Sequence, residues 1–265
     1  MKRMIWTLLA VTAAFAQKPP SVDEIMARVA ENQAKSVAAR KQFVYKQEQL
    51  VSLRQSNGKI ACRETRDFIV APDAKGEKRS LVTSASMGRC DDDAKGVAAQ
   101  VDGDVAVSLL GNDKDGVPRD LFPLTAKEQR HYVYRLAGTE MWRGRSAYRI
   151  TFVPKPTAKG DDNAGDWKGE ALIDAEEYQP ISVVTSLAQK IPMAVRVLLG
   201  TNVRGLGFSV SYERVADGVW FPSGFGGEFN INVLFFYRRA ITINMKNSDF
   251  KRADVDSKIA FDRIQ

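Results

Sequence analysis

The sequence predicts a mainly β protein, in which one strongly curved antiparallel sheet, a barrel or half-barrel, carries an N-terminal helix on one face. Apolar and polar residues alternate with period two between Phe43 and Met245, in about ten or eleven short stretches. Turn signals separate these stretches, and no helical segments alternate with them as they would in a parallel sheet. A meander with this many strands must curl or close to protect its edges.

The chain of 265 residues has an ordinary globular composition, with 44% hydrophobic residues, 27% charged residues and a formal net charge of +7. This length is enough for one large all-β domain with a sizeable core. The 2 cysteines and 1 histidine are too few for a zinc cluster, and they leave His131 as the sole histidine for a Ser-His or Cys-His mechanism. The composition therefore disfavours an enzyme.

The N-terminus has the pattern of a secretory signal peptide. Lys-Arg precedes an uncharged run over residues 4–15, and a small-residue cleavage motif ends at Ala16. This run is too short to span a bilayer, and the alternative interpretation is a buried N-terminal helix. The pattern predicts a signal peptide over residues 1–16, a single domain over residues 17–265, and a periplasmic location.

The positive net charge has two interpretations in an exported protein, which is not expected to bind nucleic acid. The charge suits contact with anionic lipid head groups, including transient contact with a membrane, or it simply favours solubility. The charge alone does not choose between them.

Residues 21–40 are predicted to form an amphipathic helix that covers the sheet. Ser21 and Glu24 have the spacing of a capping box, in which each side chain satisfies a backbone N–H at the start of the helix. The face toward the sheet consists of residues at helical spacing: Val22, Ile25, Met26, Val29 and Gln33. Such a stripe indicates core packing more often than a partner site.

Hairpin signals place the strands along the chain. Asn57-Gly58 lies between alternating runs at residues 43–54 and 60–70, and Asn-Gly in that position is the strongest short-range hairpin signal. The remaining predicted strands are 78–87, 132–141, 146–153, 167–173, 181–187, 206–214, 220–222, 229–235 and 241–245.

Whether the two cysteines can form a disulfide depends on the register of the second and third strands. If these strands pair about a turn near residues 74–75, Cys62 lies opposite roughly position 88, close to Cys90. In an oxidising compartment a structural Cys62–Cys90 disulfide is therefore expected. A redox-catalytic role is not expected, because the chain has no C-x-x-C motif.

Two segments interrupt the strand pattern. Residues 91–128 have a mixed, loop-like composition, and residues 190–205 are strongly apolar without strict alternation. The sequence leaves two interpretations of the second segment open: a short apolar helix that acts as a lid over a cavity, or a buried loop that fills the core.

Few residues could carry catalysis or bind a metal. Acidic runs at 91–93 and 161–166 do not match the ligand pattern of a calcium loop. His131 has no recognisable nucleophile motif with which to act. The expectation is a protein without catalytic residues, metal or cofactor, and a hydrolase that uses His131 or the Asp/Glu loops is the weaker alternative.

Large apolar residues are concentrated late in the chain, between Trp220 and Tyr237. A half-open sheet covered by a helix can hold a cavity, as barrels that enclose ligands do. The residues predicted to line this cavity are Trp220, Phe229, Phe235 and Leu198. The alternative is that the helix and the apolar segment fill the interior solidly.

Several motifs follow the leading helix in a recognisable order. They are Arg145–Lys155 after a Trp-Arg-Gly turn, Gly169–Asp174 with Tyr178–Ile181, Asp217–Pro222, and Asn247–Phe250. Together with the signal peptide, this order resembles the outer-membrane lipoprotein-sorting family, the periplasmic carriers related to LolA. The resemblance implies an unclosed β-barrel with a helical lid, an apolar cavity that accepts acyl chains, and no catalytic activity.

The expected function is a non-enzymatic carrier or sensor that binds the acyl chains of a lipoprotein or a lipid, as a transport chaperone would. A protein partner in the cell envelope is compatible with this function. The alternative is a structural or interaction module of the envelope, with a solid core and no ligand.

Overall fold

Eleven strands and two helices make up the part of the chain that the computed structural model describes, namely residues 20–73, 76–88, 122–156, 167–188, 201–204, 206–233 and 237–253. The helices are α1 (Val22–Arg40) and α2 (Ala126–Gln129). The strands are β1 (Phe43–Gln55), β2 (Ile60–Asp73), β3 (Gly76–Gly88), β4 (Tyr132–Trp142), β5 (Arg145–Pro154), β6 (Trp167–Asp174), β7 (Pro180–Leu187), β8 (Thr201–Arg204), β9 (Gly207–Ala216), β10 (Val219–Val233) and β11 (Tyr237–Arg252).

All these strands belong to one antiparallel sheet. Its order is β3-β2-β1-β11-β10-β9-β7-β6-β5-β4, and β8 pairs with the last residues of β10. The last strand therefore returns to pair with the first. β3 and β4 lie at the two ends of this order, and no pairing joins them within the described ranges. The prediction of a mainly β fold whose antiparallel sheet does not close into a barrel is confirmed.

The hairpin turns fall where the turn residues predict them. Gly58 has a φ of +83° in the turn between β1 and β2, a conformation that residues with a Cβ rarely adopt. The same holds for the turn between β4 and β5, where Gly144 also has a φ of +83°. Local turn chemistry is therefore sufficient to define these strand pairs.

Strand β10 departs from the prediction, which placed separate strands at residues 220–222 and 229–235. The chain is extended from Val219 to Val233, because β9 pairs with its first part and β11 with its last. Glycines between the two predicted segments weaken the strand pattern in the sequence, whereas hydrogen bonds on both edges hold the backbone in place.

The apolar segment at residues 190–205 contains strand β8. Residues 201–204 pair with the stretch from Asn230 to Val233. The interpretation as a lid helix is therefore wrong for these residues, which the free edge of β10 holds in a strand. The preceding residues 189–200 lie outside the described ranges.

Helix α1 begins with the capping box that the sequence predicts. The Glu24 N–H donates to Ser21 Oγ (3.3 Å), and the Ser21 N–H donates to Glu24 Oε2 (2.7 Å). Ile25, Met26 and Val29 are buried and join the main core. Burial of each such side chain stabilises the fold by about 1.5–3 kcal/mol, so apolar contacts hold the first half of α1 on the sheet.

The described residues form three apolar clusters in the interior. The largest lies between α1 and the sheet, and its strand residues include Ile150, Phe152, Ile173, Val183, Phe208, Val210, Phe225, Ile241 and Ile243. The second consists of Phe43, Tyr45, Val70 and Phe221. The third consists of Ala147, Leu172, Ile181 and Trp220.

The register of β2 and β3 agrees with the sequence prediction, since Cys62 lies opposite Gly88. Cys62 is buried and disulfide-bonded. Its predicted partner, Cys90, lies outside the described ranges, so the Cys62–Cys90 pairing stays a prediction.

Thiol titration of the denatured, unreduced protein from an oxidising compartment should find no free thiol. Reduction should lower the free energy of unfolding by about 3–4 kcal/mol, because the bridge closes a loop of roughly thirty residues in the unfolded chain. The double variant Cys62→Ser, Cys90→Ser should unfold like the reduced protein. Two titratable thiols would contradict the pairing.

Candidate functional site

A cavity of about 370 Å³ lies beneath the second half of α1. It is lined by the helix, by residues 122–126 and by the sheet at Tyr212 and Pro222, and it is partly open to solvent, since Ala34 in its wall is exposed. Most of the wall is apolar: Ala30, Ala34, Val37, Phe122, Leu124 and Pro222. Its polar members are Gln33, Arg40, Thr125 and Tyr212. The volume falls within the range of about 300–1,000 Å³ that is typical of small-molecule pockets.

Small side chains on α1 leave this space open. Ala30 and Ala34 are four residues apart, so they share one face of the helix. In the first half of the helix, Ile25, Met26 and Val29 fill the space against the main core. The methyl groups of the alanines are too short to do the same, and a cavity remains where larger side chains would have packed.

Two buried side chains form hydrogen bonds that join the second half of α1 to the backbone of Trp220 on β10. Ser36 Oγ donates to the Trp220 carbonyl (2.9 Å) and accepts from the Trp220 N–H (3.0 Å). Arg40 Nε donates to the same carbonyl (2.6 Å). Buried polar groups are costly unless they are paired, so these contacts determine where the end of the helix lies.

Hydrogen bonds also join the middle of α1 to the turn between β6 and β7. Gln33 Nε2 donates to Gln179 Oε1 (2.7 Å), and Gln179 Nε2 donates to the Asn32 carbonyl (3.1 Å). Asn32 Nδ2 donates to the Glu177 carbonyl (2.7 Å). With Ser36 in addition, α1 is held along its length and forms a fixed side of the cavity.

A buried carboxylate organises this turn. Asp174 accepts from Arg145 Nε (2.5 Å) and Nη2 (3.0 Å), and from the N–H groups of Glu176 (3.0 Å) and Glu177 (2.7 Å). Burial by itself raises the pKa of the Asp174 carboxyl, but the hydrogen bonds from Arg145 and from the two backbone groups outweigh burial and hold the pKa below its usual range. Asp174 is therefore ionised at neutral pH and keeps the turn in shape.

Glu177 links the same turn to β9 and β10. Its Oε1 accepts from Arg214 Nε (2.5 Å), and its Oε2 accepts from Trp220 Nε1 (2.9 Å). Trp220 thus holds α1 through its backbone and the turn through its indole. The carboxylates at this end of the sheet are engaged in structural ion pairs and hydrogen bonds.

The remaining side of the cavity is held by side chains from β4 and α2. Tyr134 Oη donates to the Pro123 carbonyl (2.6 Å), and burial raises the pKa of this phenol. Gln129 Nε2 donates to the carbonyls of Leu124 and Met26 (2.9 Å each), which joins this segment to α1. Residues 122–126 therefore form a defined wall.

The four residues predicted to line a cavity have different outcomes. Trp220 is buried in the third cluster, at 4% exposure, and packs against Ala147, Leu172 and Ile181. Phe229 lies on β10 opposite Ile241. Phe235 and Leu198 lie outside the described ranges. Their role as ligand-lining residues stays a prediction.

Sequence reasoning missed most of the cavity wall, which comes from α1 and residues 122–126. The available signal was the pair Ala30 and Ala34, on a helix whose first half carries large apolar residues. A search for large apolar residues does not find this pair, because a cavity forms where such residues are missing.

A second, open groove of about 690 Å³ lies on the other face of the sheet. Ser209, Ser211 and Asn244 line it, and they alternate along their strands with the core residues Val210 and Ile243. Charged side chains complete its rim: Glu48, Arg63, Asp67 and Lys246. Apolar residues also line this groove, but four charged side chains stand on its rim, against one among the described residues that line the cavity at α1, so that cavity is the candidate site for an apolar ligand.

Within the part of the chain that the structure describes, no cluster of three or more His, Cys, Asp or Glu residues could hold a metal ion. No helix in the same ranges is both long enough and apolar enough to cross a membrane.

No protein-family model and no curated protein sequence matches the chain. Solved structures resemble it at low identity. A domain named for outer membrane lipoprotein sorting, from Vibrio parahaemolyticus, has a TM-score of 0.38 and 11% identity, with 89% of this chain and 95% of that chain covered. A LolA superfamily protein from Nitrosomonas europaea has a TM-score of 0.31 and 10% identity, with 91% and 97% covered.

A protein of the DUF1329 family from Desulfovibrio piger has a TM-score of 0.34 and 9% identity, with 90% of this chain and 95% of that chain covered. The similar structures thus include the lipoprotein-sorting class that the sequence resembles.

The substitution Asp174→Asn should lower the free energy of unfolding by about 1.5–3 kcal/mol at neutral pH, because it removes charge-assisted hydrogen bonds from a buried site. The folded-state pKa is lowered, so this contribution is complete above the unfolded value of about 3.9 and is lost as the pH falls below it. The difference between wild type and variant in urea unfolding should therefore shrink in acid.

Glu176→Gln is the matched control for Asp174→Asn. The Glu176 carboxylate also contacts Arg145 (3.0 Å), but its side chain is 69% exposed. Exposed ion pairs contribute about 0–1 kcal/mol, so this variant should remain close to wild type. An equal loss of stability in both variants would contradict the organising role of Asp174.

Proposed function

We propose that this protein is a periplasmic, non-enzymatic carrier or sensor that binds an acyl chain of a lipid or lipoprotein in the cavity beneath α1. The observation that carries the proposal is this cavity of about 370 Å³, whose wall is mostly apolar. Export through the signal peptide at residues 1–16, with residues 17–265 as the mature domain, belongs to the same proposal.

Apolar burial would supply the affinity. Each methylene group moved from water into an apolar site contributes about 0.8 kcal/mol before the costs of association. Val37, Phe122 and Leu124 provide apolar surface on two sides of the cavity. A hydrocarbon chain matches such a wall better than a polar metabolite does.

The fixed position of α1 supports binding without a large rearrangement. Hydrogen bonds from Gln33, Ser36 and Arg40 hold the helix in one position on the sheet. A cavity that exists before the ligand arrives avoids much of the cost of ordering the site. This arrangement suits a protein that takes up and releases its cargo.

A second function, an interaction module of the envelope, is favoured by the edge strand β3. Its residues 78–88 are exposed, and Leu81, Val82 and Met87 are more than half exposed. β3 lies at one end of the described sheet order, and exposed apolar side chains on such a strand can contact another protein. A protein partner could therefore act together with an acyl ligand.

Native mass spectrometry of protein purified without detergent should show a co-purifying lipid, and a fluorescent fatty acid should bind the emptied protein. Ala30→Trp should weaken this binding at least tenfold, because the indole would occupy the cavity. Lys35→Trp, at an exposed position of α1 that is not among the cavity-lining residues, is the matched control and should bind like wild type.

A protein that is always isolated empty and binds no fatty acid would overturn the proposal. Equal binding by the two tryptophan variants would place the ligand elsewhere in the molecule. Thermal unfolding of both variants checks that each is folded.

A further inference from the structure

We infer that the tip of the hairpin between β4 and β5, formed by Met141, Trp142 and Arg143, docks on the surface of a phospholipid bilayer that contains anionic head groups. The inference goes beyond the proposed binding of an acyl chain, because none of these three residues lines the cavity beneath α1.

The hairpin tip exposes large apolar side chains. Met141 is 68% exposed and Trp142 is 41% exposed. The other tryptophans in the described ranges, Trp167 and Trp220, are buried. Tight turns and their flanks readily accept polar residues, so an exposed methionine next to an exposed tryptophan indicates a surface that another phase or molecule covers.

The two apolar side chains leave the hairpin on opposite faces. Met141 pairs with Ser146 and Trp142 pairs with Arg145, and successive side chains of a strand point to opposite sides of the sheet. A protein that packs against one face of the hairpin would cover only one of the two. A bilayer into which the tip inserts surrounds both faces.

Arg143 occupies a turn position that does not favour arginine. Its φ is +48°, and the φ of Gly144 is +83°, between the paired residues Trp142 and Arg145. Positive φ at both central residues is the requirement of a type I′ turn, for which Asn, Asp and Gly are preferred. Turn chemistry therefore does not explain an arginine here, whereas a role for its charge does.

The charge of Arg143 is available to an external anion. The side chain is exposed, and its guanidinium carbon lies 5.8 Å from the centre of the Trp142 ring. Among the described residues no carboxylate forms an ion pair with it, and Glu140 on the same hairpin contacts Arg149 instead. The formal net charge of +7 also favours approach to an anionic surface.

The composition of the tip matches the layers of a bilayer surface. Tryptophan is enriched at the level of the head groups, a methionine side chain can enter the hydrocarbon, and an arginine can reach the phosphates from below. A specific protein interface buries about 1,200–2,000 Å² in total, which is more than three side chains supply. A bilayer is therefore the partner that suits a tip of this size.

Co-sedimentation with vesicles tests the docking. The purified protein should bind phosphatidylcholine vesicles that contain about 30% phosphatidylglycerol at least fivefold more tightly than vesicles of phosphatidylcholine alone, because Arg143 is attracted to the anionic surface. About 0.5 M NaCl should remove most of this difference, since salt screens exposed charges.

Tryptophan fluorescence locates the contact on the molecule. Trp6 lies in the predicted signal peptide, and Trp167 and Trp220 are buried, so Trp142 is the residue that vesicles should reach. Bromine atoms on the acyl chains of the vesicles should quench the fluorescence, and Trp142→Phe should remove most of this quenching.

The double variant Met141→Thr, Trp142→Thr should bind the vesicles at least tenfold more weakly, because the apolar surface that enters the bilayer is lost. The matched control is Val153→Thr, Val184→Thr, which changes two side chains that are 46% and 55% exposed elsewhere on the sheet. It should bind like wild type.

Arg143→Asn separates a role in binding from a role in folding. It should weaken binding to the anionic vesicles about fivefold. Its melting temperature should be no lower than that of wild type, because asparagine suits the turn better than arginine does. If the double variant of the tip does not fold, this variant and the quenching of wild type decide.

Three results would overturn the inference: no binding to vesicles, equal loss of binding in the tip variant and the valine control, or quenching that persists in Trp142→Phe. Capture of a protein partner that the tip variant loses, without any binding to vesicles, would assign the tip to a protein. The acyl-chain function is measured separately with a fluorescent fatty acid in the absence of vesicles, so either proposal can fail while the other stands.

Discussion

The hydrogen bonds between the second half of α1 and the backbone of Trp220 determine how far the helix stands from the sheet. Ser36 and Arg40 reach the same carbonyl, and neither can leave it without exposing a buried polar group to an apolar interior. Ala30 and Ala34 are too small to fill the resulting space. The cavity thus depends on a polar contact that holds the helix in place and on the absence of side chains large enough to occupy it.

The groups that hydrogen-bond to α1 are themselves held by further contacts within the sheet. Gln33 and Gln179 join α1 to the turn between β6 and β7, and the buried Asp174 holds that turn against Arg145. The motifs that carry the family resemblance include several of these residues. In this structure Arg145, Asp174 and Gln179 hold the helix in place through hydrogen bonds and are not among the residues that line the cavity.

The sequence was most informative where structure depends on neighbours along the chain. The capping box at Ser21, the hairpin at Gly58 and the position of Cys62 opposite Gly88 all follow from local patterns. The site was predicted poorly by comparison. Large aromatic residues drew attention to the region around Trp220, whereas the cavity lies where α1 carries alanines.

Composition, periodicity and turn residues determined by themselves that this chain is an antiparallel β protein with one amphipathic N-terminal helix. Only the tertiary structure decided that the last strand pairs with the first, and where an open space remains. The deciding contacts join residues far apart in the chain: 184 positions separate Ser36 from Trp220, and 146 separate Gln33 from Gln179. Local patterns carry no information about such pairs, because burial and hydrogen bonding select them only when the whole sheet has formed.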